Sequence, residues 1–162
     1  MKKLSIFFTI FIISLSTSLQ AYSSDPKEFV RELVNDAIKK LSDKSISKEE
    51  KAIFIEKVAL DNVDIKALGL YTLGELRKSS EKQDLIRYQE TFEKYFLKSL
   101  TSRLTDYSSS KFEVLSSDQK SSNYTIVSTL VKPEDGSPDI KIDWRIYTKN
   151  PDKPLIRDLI VE

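Results

Sequence analysis

The sequence predicts an α+β fold in which N-terminal helices pack on a twisted antiparallel sheet of about four strands. Three observations carry this. Apolar residues recur with a period near 3.6 from residue 29 to about residue 104. Beyond residue 111 the period drops to 2. Asp135-Gly136, a strong turn dipeptide, then separates two alternating runs.

The first helix opens at Asp25-Pro26-Lys27-Glu28. Asp25 can cap, Pro26 suits the first helical position and Glu28 can complete a capping box. Phe29, Val30, Leu33, Val34, Ala37, Ile38 and Leu41 then share one face, opposite Lys27, Arg31, Glu32, Asp36 and Lys39. A second box, Ser47 to Glu50, starts a helix presenting Ile53, Phe54, Val58 and Ala59 that runs out near Asp61-Asn62. Asp64 can cap a third, with Ile65, Leu68, Tyr71, Leu73 and Leu76. Gly69 and Gly74 lie inside it, each costing about 1 kcal/mol against alanine. They mark a break or a close approach of another group, and simple close packing is the favoured reading. Ser80, with Gln83 to close its box, opens a helix carrying Leu85, Phe92, Phe96, Leu100 and Leu104, with Tyr88, Tyr95 and Tyr107 at the stripe's edges. If continuous to Asp106 it is about 40 Å long.

Lys111 to Leu115 reads as a short strand and Asn123 to Val131 as a longer one. Asp139 to Thr148 sets Ile140, Ile142, Trp144 and Ile146 on one face and Lys141, Asp143 and Arg145 on the other, as in a half-buried antiparallel strand. Asn150 to Pro154 turns the chain into a last strand, Leu155 to Val161. Ser108–Ser110 and Ser116–Ser122 read as polar connectors. There is no internal repeat and no second domain, so residues 22–162 form one unit.

Residues 1–21 read as a signal peptide. Lys2 and Lys3 precede Leu4 to Leu19, which is free of charge, and the apolar heart from Ile6 to Leu15 is too short to span a bilayer. Cleavage is expected after Ala21, so the mature chain starts close to Tyr22. An uncleaved anchor is the minor alternative. Loss of Lys2 and Lys3 turns the formal charge of +1 into −1, which gives no electrostatic reason to expect nucleic acid.

Chemistry is hard to place on this chain. It has no cysteine and no histidine, which removes thiol nucleophiles, zinc–thiolate sites, the commonest general base and the commonest metal ligand. With three glycines, a phosphate-cradling loop is not expected. No serine sits in a G-x-S-x-G or S-x-x-K motif. Carboxylates are available at Glu113, Asp118, Asp139, Asp143 and Asp158, but Asp143 is expected to form a surface ion pair with Arg145 or Arg157. No enzyme activity and no cofactor or metal are expected. What remains is apolar: Phe92, Phe96, Leu100 and Leu104 on the long helix, and Ile126, Leu130, Ile142, Trp144 and Ile146 on the sheet. These residues build either a solid core or the walls of an oily cavity, and the pattern alone fits both.

The order of motifs adds to this. Asp25 to Val30 reads D-P-x-x-F-V. Val63 to Gly74 gives V-D-I-x-A-L-G with a following L-G. Ser79-Ser80-Glu81 starts a helix, Phe92 to Phe96 gives F-x-x-Y-F and Ser102 to Tyr107 gives S-R-L-T-D-Y. Ile142 to Arg145 reads I-D-W-R and Ile156 to Glu162 reads I-R-D-L-I-V-E. In this order, over residues 25–162, the chain resembles the MlaC-type periplasmic phospholipid-binding proteins, also called the toluene-tolerance family. Members usually continue beyond the V-E pair, so a C-terminally shortened member is expected here.

The resemblance implies an apolar cavity between helices and sheet, and a shuttle that carries phospholipid across the periplasm. Its partners would be membrane-anchored and outer-membrane complexes linked to an ABC transporter, in a system that maintains outer membrane lipid asymmetry. A monomer is expected. The residues expected to touch the lipid are Leu68, Tyr71, Phe92, Phe96, Leu100, Ile126, Leu130, Ile142, Trp144 and Ile146. Two alternatives stay open: an exported scaffold with a filled core, and a carrier of a different, hopanoid-type lipid.

Overall fold

A computed structural model of the chain describes residues 22–106, 110–134 and 136–162. The expected signal segment, Tyr107 and Asp135 of the turn lie outside the described residues. Among them are five helices, α1 (Pro26–Ser42), α2 (Lys48–Asn62), α3 (Ile65–Thr72), α4 (Leu76–Ser79) and α5 (Lys82–Leu104). Four strands follow, β1 (Ser110–Ser121), β2 (Tyr124–Pro133), β3 (Ile140–Tyr147) and β4 (Leu155–Val161), forming an antiparallel sheet in the order β1-β2-β3-β4. The fold is α+β, as the change of period requires.

The caps set the helix starts. Asp25 accepts from the amides of Lys27 and Glu28 at 3.0 Å each, and Pro26 sits in the first turn. Glu28 pairs with Arg31 instead of closing a box. At α2 the box is complete: Ser47 Oγ accepts from the Glu50 amide and Glu50 accepts from the Ser47 amide. Asp64 caps α3 through the Ala67 amide at 3.1 Å. The third helix stops at Thr72, short of the expected Leu76, because the chain turns left-handed at Gly74, φ +54°. The other glycine, Gly69, is the close approach. A Cβ there would stand 2.9 Å from Cδ1 of Phe92, so α3 and α5 touch where a side chain is missing.

Two further expectations are corrected. The long helix is capped at Glu81 with no side-chain bond, because the Ser80 hydroxyl donates back to the Leu76 carbonyl at 2.7 Å and closes α4 instead. The segment 116–121, expected as a connector, is the second half of a twelve-residue β1. Ser116 and Asp118 share one face of it and Ser117 the other, and a bulge between Val114 and Ser116 re-aims it.

Partners directly opposite in the ladder share a face of the sheet. Val127, Trp144 and Leu159 therefore lie on one face, as do Thr125, Ile146 and Ile156 in the next row. This face receives α1: Phe29, Val30 and Leu33 join Val127, Ile146 and Ile156 in the core, with Val58, Val63, Phe112, Val114 and Trp144 packed around them. The helix lying over the sheet is thus α1 rather than the long helix. The main partners of α5 are α2 and α3. No helix among the described residues is long and apolar enough to cross a membrane.

Candidate functional site

The other face of the sheet carries two polar rows. One runs Ser116, Ser128, Asp143, Ile160 across the four strands, and the next runs Asp118, Ile126, Arg145, Asp158. They floor a cleft of about 720 Å³ that Tyr71 of α3 overhangs and that Lys120, Ser121 and Tyr124 close at one end. A volume of this size suits a small-molecule ligand.

Helix α3 reaches this face because its start is fastened to β4. Val63 forms a parallel bridge with Ile156, and the Asp64 amide donates to the Ile156 carbonyl at 2.9 Å. The Asp64 carboxylate takes Nε and Nη2 of Arg157 at 2.9 and 2.8 Å. Nη1 of Arg157 donates to the Tyr124 hydroxyl at 2.9 Å. Burial works against the Arg157 charge, but the bonds to Tyr124 and Asp64 outweigh it and hold its pKa above the ordinary value. Seven residues along, Tyr71 accepts from Nη1 of Arg145 at 3.3 Å, a bond that raises the Arg145 pKa against a smaller opposing effect of burial. Arg145 also faces Asp158 at 3.6 Å. Asp143 takes the Ser128 hydroxyl at 2.6 Å and lies 3.8 Å from Lys141 Nζ. The expected Asp143 ion pair with Arg145 or Arg157 is therefore replaced by these partners, since Asp158 and Asp64 stand closer to the two arginines.

The ten sequence candidates fall into three places. Tyr71 and Ile126 line the cleft, and Leu130 lies on the same sheet face, opposite Glu113 and Lys141. Leu68 shares α3 with Tyr71, while Phe92, Phe96 and Leu100 belong to α5. The Phe92 ring stacks between Tyr88 and Phe96, with centroids 6.0 and 6.1 Å away. Ile142, Trp144 and Ile146 project from the face that α1 packs on, and Ile146 is 0% exposed. The structure does not bring Ile126 and Leu130 together with these three, because β2 and β3 pair with Ile126 opposite Arg145 and Thr125 opposite Ile146.

Sequence reasoning passed over Ser116, Asp118, Lys120, Asp143 and Arg145 as cleft residues. The signal that could have found them is their common parity: Ser116, Asp118 and Lys120 keep the alternation that Ile126 and Ser128 continue on the next strand. No group of acidic residues among those described could hold a metal ion.

The structure is thus an α+β protein in which helix α3, fastened to β4, carries Tyr71 over a cleft on one face of a four-stranded antiparallel sheet. The chain belongs to the MlaC protein family, whose model matches residues 31–162. Among solved structures it is similar to the phospholipid-binding protein from Ralstonia solanacearum in complex with a phospholipid. The TM-score is 0.65 at 12% identity, over 82% of this chain and 75% of that one. That likeness establishes the fold. No curated protein matches the chain in sequence.

Proposed function

We propose that this protein is a periplasmic lipid-binding shuttle, one component of an ABC-transporter-linked system that moves phospholipid between membranes and maintains outer membrane lipid asymmetry. The observation that carries this reading is the family match over residues 31–162. The phospholipid held by the Ralstonia solanacearum protein of the same fold supports it. In this reading residues 1–21 are a signal peptide removed after Ala21, the mature chain works as a monomer, and its partners are membrane-anchored and outer-membrane complexes. It performs no bond chemistry.

The physical task is to shield hydrocarbon. Exposing two acyl chains of roughly 15 carbons to water costs on the order of 25 kcal/mol, at about 0.8 kcal/mol per CH₂. A carrier whose interior is as apolar as the bilayer makes exchange near neutral and reversible. We assign the tails to the space between the α3–α5 pair and the outer face of the sheet, with Leu68, Tyr71, Phe92, Phe96, Leu100, Ile126 and Leu130 in contact. Ile142, Trp144 and Ile146 support the sheet from its packed face.

The test is native mass spectrometry of gently purified mature protein, paired with uptake from vesicles of labelled phospholipid. Bound phospholipid at one molecule per chain is expected. Apo protein alone, with no uptake, would reject the carrier and leave an exported scaffold. Recovery of a hopanoid in place of phospholipid would reassign the cargo.

A further inference from the structure

The first described residue, Tyr22, is tied to α1 at several points. Its ring packs against the core and meets Phe29 edge-on, with centroids 6.1 Å apart. Its hydroxyl donates to Asp36 Oδ2 at 2.9 Å, and the next amide, that of Ser23, donates to Glu32 Oε2 at 2.7 Å. Ser23 Oγ in turn accepts from the Asp25 amide at 3.2 Å, so the chain is held as far as the cap of the helix.

Glu32 and Asp36 stand four residues apart on α1, where like charges disfavour one another. Neither has a cationic partner among the described residues. Asp61 of α2 also acts on the Tyr22 phenol, but it is already paired with Lys57 at 2.6 Å. Tyr22 thus faces two carboxylates that lack a counter-charge. Its own backbone nitrogen is close to them. It lies one residue before the Ser23 nitrogen, and hence within about 6.5 Å of Glu32 Oε2. In the uncut chain that nitrogen is an uncharged amide joined to Ala21. After a cut behind Ala21 it is an ammonium.

We propose that removal of residues 1–21 completes a latch, in which the new ammonium of Tyr22 pairs with Glu32, backed by Asp36, and fastens the first residue of the processed chain to α1. This rests on the processing reading given above. The pair is solvent-exposed, so its effect is small and salt-dependent. The positive end of the α1 dipole, at Pro26, opposes a cation nearby. That field fades within about one turn of the helix end, whereas Glu32 already touches the adjacent amide. An ammonium paired in the folded chain holds its proton more tightly than in the unfolded chain, where α-amines titrate at about 7.7–8.0. The latch therefore adds stability below about pH 7.7 and loses it as pH rises beyond the folded value. The groups facing the amine are Glu32 and Asp36 of α1, Asp61 of α2, and the phenol of Tyr22 itself, whose titration belongs to more alkaline pH.

Two measurements test this. Intact mass of the protein taken from the cell envelope reads the cut, and a chain beginning at Tyr22 is expected. Thermal melts read the latch. The protein beginning at Tyr22 is compared with the same protein acetylated at its α-amine, both as wild type and as Glu32→Gln, in low salt at about pH 6.5. Acetylation is expected to lower the melting temperature of the wild type by about 2 °C or more, and that of Glu32→Gln by less than about half as much. The wild-type difference should shrink at about pH 9.5 and in about 0.5 M salt.

Equal losses in the two proteins, or a gain in melting temperature on acetylation, overturn the latch while the cut stands. An envelope chain that begins elsewhere overturns the processing reading, and the proposal with it. Lipid uptake is read separately by the vesicle assay, so neither failure is confused with failure of the carrier. If Glu32→Gln does not fold, the effect of acetylation on the wild type at the two pH values decides alone.

Discussion

Arg157 stacks on Tyr147, its guanidinium carbon 3.4 Å from the ring centroid, while Nε and Nη2 of the same group hold Asp64, 93 residues earlier in the chain. The planar guanidinium performs both tasks at once, which a lysine ammonium cannot. Tyr124 adds a third contact, and its ring lies 5.0 Å from that of Tyr147. This cluster fixes where α3 leaves the sheet, and with it the position of Tyr71 over the cleft.

Because Asp64 both caps α3 and anchors Arg157, its removal is costly. Asp64→Ala is expected to destabilise the fold by about 2–3 kcal/mol, the sum of a lost cap and a lost charged hydrogen bond. Arg157→Lys should cost about 1–2 kcal/mol by keeping charge but losing the fork and the ring contact. A double-mutant cycle by urea denaturation should give a coupling of about 1 kcal/mol or more between the two positions. Additive losses would mean that the two residues act independently.

Gly69 offers a second test. Alanine is better than glycine in a helix by about 1 kcal/mol, so an open site would be stabilised by the change. Here the new methyl meets Phe92 Cδ1 at 2.9 Å and Cγ at 3.1 Å, and that ring is held between Tyr88 and Phe96. Gly69→Ala is therefore expected to destabilise by about 1–2 kcal/mol net, with overpacking exceeding the gain in propensity. Phe92→Leu should relieve part of the loss when combined with it. At Gly74 nothing lies within 4 Å of an added Cβ, but φ is +54°, so Gly74→Ala should cost about 1 kcal/mol through the backbone alone and be indifferent to residue 92. Thermal melts of the four variants separate the two causes.

These glycines also mark how far the sequence could be read. Caps and stripes located α1, α2 and the start of α3, because each depends on residues within one turn of each other. The strand Leu155–Val161 and the parity of β3 followed from local alternation in the same way. What pairs with what is not local. That Gly69 meets Phe92, or that Asp64 finds Arg157, depends on a partner 23 or 93 residues away. The parity of β2 relative to β3 was undetermined for the same reason. Ile126 and Leu130 look as oily as Val127, yet the register places them opposite charged residues of β3, Arg145 and Lys141. In β1 the serines hid a strand, since Ser116, Ser117 and Ser121 resemble a connector by composition while the ladder to β2 holds them extended.

Tyr22 gives a pH dependence. Burial beside Phe29 and a hydrogen bond to Asp36 at 2.9 Å push its phenol well above the ordinary value near 10, with Glu32 and Asp61 adding to the effect. The folded state thus favours the neutral phenol. This contribution to stability is fully present below about pH 10 and is lost as pH rises beyond it, because the unfolded chain releases the proton first. Compared with Tyr22→Phe, the wild type should therefore lose relative stability above about pH 10 and show a constant difference from pH 7 to 9. Parallel alkaline curves for the two proteins in urea denaturation would contradict the burial of this phenol.

Thr129 is a buried polar residue, 0% exposed, between β1 and β3 on the face packed against α1. Its hydroxyl donates to the Ile142 carbonyl at 3.1 Å and accepts the indole N–H of Trp144 at 2.8 Å. Both of its hydrogen-bonding roles are therefore filled, and the indole is fixed against the sheet. Thr129→Val preserves shape and removes both bonds, stranding the indole N–H in an apolar setting at a cost of about 1–3 kcal/mol. The chain has one tryptophan, so the emission spectrum reports on this residue alone. Thr129→Val should destabilise the protein and alter that spectrum, because the indole either loses its partner or turns toward water to regain one. Trp144→Phe in the Thr129→Val background should then cost less than Trp144→Phe alone, since no N–H remains to be satisfied and no hydroxyl is orphaned. Equal costs in the two backgrounds would show that packing, and not this hydrogen bond, fixes the ring.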